Sequence, residues 1–151
     1  MNTLRWPTAQ RSLTDGVVTL RPFEVSDRDA VFAACQDPTL QRWTLVPVPY
    51  LMEHADQLVG DEPRARFRAG QGADFAVTVD DRFAGVVGVK SVDVVNEGGE
   101  LGFWLAPGAR DRGVATRAVS VLSEWLLAGV GLGRLEAYVH ADNIPSCRVL
   151  P

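Results

Sequence analysis

The segment Arg110-Asp-Arg-Gly-Val-Ala-Thr-Arg117 carries the clearest chemical signal in this chain. It places three arginines around a glycine at the mouth of a helix-like pattern. The first turn of a helix has N–H groups with no partner in the helix, at the positive end of its dipole. Such a loop suits an anion, and phosphate is the expected one. Gly113 lets that anion approach the backbone with no Cβ in the way. A second segment, Asn143-Ile-Pro-Ser-Cys-Arg-Val149, sets an amide, a hydroxyl and a thiol at the start of a later helical pattern.

The elements that must hold these groups are readable from the period of the apolar residues. Leu101-Gly-Phe-Trp-Leu105 precedes the loop as a strand, and a helix from Val114 to about Ala128 follows it. That helix carries an apolar stripe at Val114, Ala118, Val121, Trp125 and Ala128, widened by Val119, Leu122 and Leu126. Upstream, Phe75–Val79 and Phe83–Val89 flank Asp80-Asp81 as a hairpin, with the second strand running on toward Val94. After a turn at Glu97–Gly99, Glu100–Leu105 completes a three-stranded antiparallel unit.

Nearer the start, Val17–Leu20 reads as a strand. Ser26 is the expected N-cap, with Asp29 three residues on, of a helix that reaches Cys35 and stops before Pro38. Residues 39–49, with Pro47 and Pro49, read as loop. Tyr50–Leu58 and Arg64–Arg68 read as helical pieces. Arg134–His140 is a strand, and Asn143 opens a helix with Pro145 in its first turn. The expected class is α+β (mixed α/β), with one mostly antiparallel central sheet flanked by helices.

A length of 151 residues suits one domain with one core. Residues 1–16 read as a flexible leader or a short arm, and 17–151 as the domain. The formal charge is −4: 14 arginines and a single lysine, Lys90, face 19 acids. That balance argues against a nucleic-acid binder. Cys35 and Cys147 read as reduced structural thiols of a cytoplasmic protein. No run of 18 apolar residues suggests a membrane span. The Cys and His residues lack metal-ligand spacing, so no metal is expected.

The loop lacks the Lys and Ser or Thr of a nucleotide P-loop. It also follows an antiparallel unit, where a dinucleotide fold would set its glycines after the first parallel strand. It resembles instead the pyrophosphate-binding motif of the GNAT superfamily of N-acetyltransferases: Gln or Arg, two residues, Gly, one residue, then Gly or Ala. Arg110, Gly113 and Ala115 occupy those places. Val17-Val-Thr-Leu-Arg-Pro22, Glu100-Leu-Gly-Phe-Trp-Leu105, and Asn143, Ser146 and Val149 resemble the subgroup that acetylates protein N-termini, including ribosomal-protein alanine acetyltransferases. The resemblance spans roughly residues 17–151.

It implies an acyl-CoA N-acyltransferase with acetyl-CoA as co-substrate. The backbone of Arg112, Gly113, Val114, Ala115 and Thr116 would hold the coenzyme A pyrophosphate, with Arg110, Arg112 and Arg117 adding charge. The backbone of Phe103, Trp104 and Leu105 would pair with the pantetheine arm, where this strand splays from the one after the long helix. Asn143 would bond the cofactor arm or cap its own helix. Ser146 would approach the cofactor sulfur, or serve only as a first-turn hydroxyl.

The implied reaction is direct attack by a neutral amine on the acetyl thioester. Glu100 is the first candidate for proton acceptor, its other reading being a solvated acid beside Gly99. His140 is the second candidate, and a backbone N–H of residues 103–105 would polarise the carbonyl oxygen. The acceptor is a protein or peptide α-amine, or else a small amine or antibiotic; the acyl group could also be succinyl. A non-catalytic CoA-binding domain is the alternative of another class. Trp43, Tyr50, Glu53, His54 and Arg68 are candidates for the acceptor wall or for packing. Related chains continue into a Gly-Phe segment and a final hairpin that this sequence lacks. The expected explanations are an incomplete C-terminus or a second copy, as in a homodimer, covering the sheet edge.

Overall fold

The computed structural model describes residues 4–137. Its six strands lie in one sheet in sequence order: β1 Leu13–Thr14, β2 Val18–Arg21, β3 Ala73–Val79, β4 Arg82–Asp93, β5 Gly98–Leu105 and β6 Arg134–Ala137. Neighbours are antiparallel except β5 and β6, which run parallel from Gly98↔Arg134 to Leu101↔Ala137. The helices are α1 Arg28–Ala34, α2 Pro38–Trp43, α3 Met52–Val59, α4 Asp61–Arg68 and α5 Val114–Glu124. The mixed α/β class and the three-stranded unit β3–β5 stand as read from the sequence.

Alternation along the strands feeds two cores. Phe75, Val77, Val87, Val89 and Leu101 face α5, where they meet Ala118, Leu122 and Leu126. Ala76 and Val86 point to the other face and pack with Val31, Cys35, Tyr50, Ala55 and Val59 of the α1–α3 layer. A strand period of two therefore assigns each residue to one of two helical layers. Past Glu124 the helix continues as a wider π-type turn over Trp125–Val130, closed by Gly131 in the left-handed conformation (φ +96°).

Two local readings change, and a third is narrowed. The chain enters α1 through a 3-10 turn at Val25–Asp27, and Asp27, not Ser26 or Asp29, does the capping. Its Oδ2 accepts the Glu24 N–H at 2.8 Å and its two oxygens bind Arg21 at 2.7 Å each. Asp37 and Pro38 begin a helix where a loop is expected: Asp37 caps α2 by accepting the Leu40 N–H, and the proline takes the first helical turn, where its missing N–H costs nothing.

The third concerns the leader, which from Leu4 onward is tied to the domain. Trp6 stacks on Phe67 and Trp125 (5.2 and 5.6 Å between centroids) and donates its indole N–H to the Phe67 carbonyl. Arg5 donates to the Ala128 and Gly129 carbonyls at the negative end of the long helix. Among the described residues no helix is long and apolar enough to cross a membrane. The expected strand beyond Ala137 and the helix at Asn143 lie outside the described residues.

Candidate active site

The loop between β5 and α5 has the open form its sequence suggests. After a 3-10 turn at Pro107–Ala109, Asp111 (φ +62°) and Gly113 (φ +73°) both adopt left-handed backbone. The first bond of α5 is Arg117 N–H to Gly113 O at 3.1 Å, so the Val114, Ala115 and Thr116 N–H groups have no partner within the helix. Among the described residues, no atom beyond its chain neighbours and its own helix backbone lies within 4 Å of where a Gly113 Cβ would stand. Left-handed residues set among exposed N–H groups form a concavity suited to anions.

The three arginines separate. Arg110 turns back to Asp37, at 2.9 Å, and to the Leu105 carbonyl at 3.3 Å. Arg117 pairs with Asp15 at 3.0 Å, tying the β1–β2 turn to the first turn of α5. Arg112 is exposed and has no ion pair among the described residues.

On β5, Phe103 and Leu105 pack toward α5 and Trp104 toward the α1–α3 layer, where it meets Phe83 edge-on at 5.9 Å. One backbone edge of Gly102–Leu105 is bonded to Gly85–Gly88 of β4. Among the described residues, the other edge pairs with β6 from Gly98 to Leu101, which stands beside Ala137. Glu100 is half-buried and stands between Ser91 of β4 and Glu136 of β6. Leu101, and the Cβ direction of Gly99, face α5, so Glu100 shares the opposite face with Trp104. His140, Asn143, Ser146 and Cys147 lie outside the described residues.

That opposite face opens into a cleft of about 280 Å³ between the sheet and the segment 46–66. Tyr50 and His54, both expected in an acceptor wall, line it; Trp43, Glu53 and Arg68 do not. His54 accepts the Leu51 N–H through Nδ1 at 2.9 Å, which leaves its ring proton on Nε2. Burial pushes the Cys35 thiol up to about 11, and burial with the adjoining Cys35 pushes the Tyr50 hydroxyl up as well. Neither is a proton carrier near neutral pH. At the cleft floor, Arg66 pairs with the buried carboxylate of Asp74 at 2.9 Å.

Asp37 and Lys90 are the neighbours of the site that the sequence reading passed over. Asp37-Pro38 is a helix-start signature that was legible. Lys90 is the extra residue of a β-bulge: Val89 pairs with Leu101 and Ser91 with Glu100, leaving Lys90 unmatched and aimed across β5.

Known proteins resemble this chain over most of its length. The sequence model of the acetyltransferase (GNAT) domain matches residues 18–151. An uncharacterized N-acetyltransferase, p20, of Bacillus licheniformis is 28% identical over 138 residues, covering 88% of this chain and 75% of that protein. RimJ of Mycobacterium smegmatis, solved in complex with CoA-disulfide, superposes with a TM-score of 0.80 at 27% identity, over 96% of this chain and 74% of that one. An acetyltransferase of Salmonella typhimurium that modifies the N-terminal serine of a 50S ribosomal subunit protein shares the fold at 18% identity, with a TM-score of 0.75 over 95% and 80% of the two chains. With its antiparallel sheet, its open α5 terminus and a family match over nearly its whole length, the chain belongs to the GNAT acetyltransferase family.

Proposed function

We propose that this acetyltransferase moves an acetyl group from acetyl-CoA to the α-amine of a protein or peptide. The observation that carries the reading is the open terminus of α5, where unpartnered N–H groups, the space at Gly113 and the exposed Arg112 form a cradle for a pyrophosphate. The N–H groups of Gly113–Thr116 bind it, and the outer backbone edge of Phe103–Leu105 pairs with the pantetheine arm. Arg110 serves from behind, through its bonds to Asp37 and Leu105, by fixing the loop.

Bound there, acetyl-CoA would supply the electrophilic thioester carbonyl. An amine entering from the cleft attacks that carbon, and its proton passes to Glu100, directly or through water. A backbone N–H in the 103–105 stretch steadies the oxyanion as the C–N bond forms. Its collapse breaks the C–S bond to leave the acetylated amine and the coenzyme A thiolate, which takes up a proton. Asn143 and Ser146 take the roles of cofactor contact and thiolate partner. The α-amine as acceptor is supported by the Salmonella typhimurium fold relative and by the sequence resemblance of the Val17–Pro22 and Glu100–Leu105 segments.

Mixing protein, acetyl-CoA and a panel of N-terminally free peptides, with released thiol as the readout, tests the reading. Acceptor-dependent release is expected. CoA binding without release across peptides and small amines would overturn it.

A further inference from the structure

Lys90 has a setting unlike that of any other cation among the described residues. It is the single lysine among 14 arginines. The bulge that lifts it out of register occurs beside Glu100, and it lines the cleft. Its stem lies over Gly102: a Cβ there would run into Lys90 Cε and stand 3.3–3.4 Å from Cγ and Cδ. The absent side chain at 102 therefore makes the groove that Lys90 occupies, between Glu100 and Trp104 on one face of β5. No ion pair engages Lys90 among the described residues, whereas its neighbour Arg66 is already committed to Asp74. Glu100 is likewise without an ion pair, although it shares that face.

Two opposite charges on one face of β5, with no ion pair between them, match a ligand that carries both charges in the reverse order. Bulges that re-aim a side chain occur often beside active sites. We propose that Lys90 is a specificity-determining residue for the acceptor. Glu100 receives the amine, and Lys90 receives an anionic group, a carboxylate or a phosphate, a few bonds from that amine. The substrate class is then an α-amine next to an acidic side chain, or an amino acid with a free carboxylate. This inference rests on the reading of the cleft as the acceptor side.

A lysine suits this task because its compact ammonium sits at the end of a flexible stem and needs no planar partner. Glu62, in the first turn of α4, also lines the cleft and sets a negative boundary on its far wall. A second cationic group in the acceptor would find its complement there, so the proposal concerns the anion nearest the amine.

Matched acceptors test it: Ser-Glu against Ser-Gln peptides for a side-chain carboxylate, and free amino acids against their amides for an α-carboxylate. Wild-type kcat/KM should favour the anionic member of at least one pair about tenfold. Lys90→Met should bring that ratio to about 1, Lys90→Arg should keep part of it, and Lys90→Glu should reverse it toward lysine-bearing peptides. Gly102→Ala, which displaces the Lys90 stem while leaving Lys90 in place, should also lower the ratio. Equal rates for both pairs, or a preference that survives Lys90→Glu, would overturn the assignment. If all four compounds fail as acceptors while CoA binds, the α-amine reading falls and this inference with it. If they are acetylated without preference, only the role of Lys90 falls.

Discussion

One carboxylate oxygen, Asp37 Oδ2, receives both the Arg110 guanidinium and the Leu40 N–H, each at 2.9 Å. The start of α2 and the loop that enters α5 are thereby joined. The Arg110 hydrogen bond, followed by the Leu40 N–H, holds the Asp37 carboxyl below its ordinary range. Its stabilisation is thus fully present above the unfolded carboxylate pKa and lost as pH falls through the lowered folded value. Asp37→Asn keeps a good N-cap and loses only the charge, so it should cost no more than about 1 kcal/mol at this partly exposed pair. Arg110→Ala frees the loop and should weaken CoA binding roughly tenfold, about 1.4 kcal/mol, read by calorimetry. Unchanged affinity would show that the loop holds its shape without Arg110.

Gly113→Ala separates backbone conformation from space. Nothing lies near the added methyl, but φ is +73°. The expected loss of stability is about 1 kcal/mol, from the left-handed backbone alone. Gly113→Asp adds a charge that repels phosphate, and its CoA affinity should fall well below that of the alanine variant in the same titration.

Asp27 should govern much of the acid limb of stability. Burial alone would raise its carboxyl, but the paired Arg21 and the Glu24 N–H outweigh it, and the group lies below its usual range. Stability from this cluster is present at neutral pH and declines as pH drops below about 4. Asp27→Asn leaves Arg21 without its partner and should cost about 2–3 kcal/mol at pH 7, while flattening the decline between pH 4 and 2 in urea titrations.

Glu100→Gln should lower kcat while leaving CoA affinity within about twofold, since the side chain faces the acceptor side. A variant with wild-type turnover would remove Glu100 as proton acceptor.

The hairpin of β3 and β4 and the helix after Gly113 were legible because their apolar residues repeat with the period of the element they form. Gly113 and the strand before it were legible for a related reason: a helix mouth next to a strand is a local pattern. What escaped was decided by distant partners. Trp6 finds Phe67 and Trp125, and Arg5 finds the end of the long helix, pairings that no short window contains. Ser26 looked like a cap, yet Asp27 wins that place because Arg21 neutralises it. Lys90 depends on a one-residue slip between β4 and β5, and slips leave no trace in an apolar alternation.

The packed arm gives a further test. Trp6→Ala removes two ring contacts and one hydrogen bond at a half-buried site. It should cost about 2–3 kcal/mol, below the range for a fully buried tryptophan. A midpoint in chemical denaturation equal to wild type would show that the arm contributes nothing to the folded state.

The near-absence of lysine has a consequence for life alongside a reactive thioester. Guanidinium groups stay protonated at any physiological pH and offer no lone pair to an acyl donor. Fourteen of the fifteen cationic Lys and Arg side chains are therefore inert toward it. The molecule keeps its positive charge and its ion pairs while presenting one side-chain amine, Lys90, to its own reagent. A protein that handles an acylating agent is in this way largely protected from chronic self-labelling.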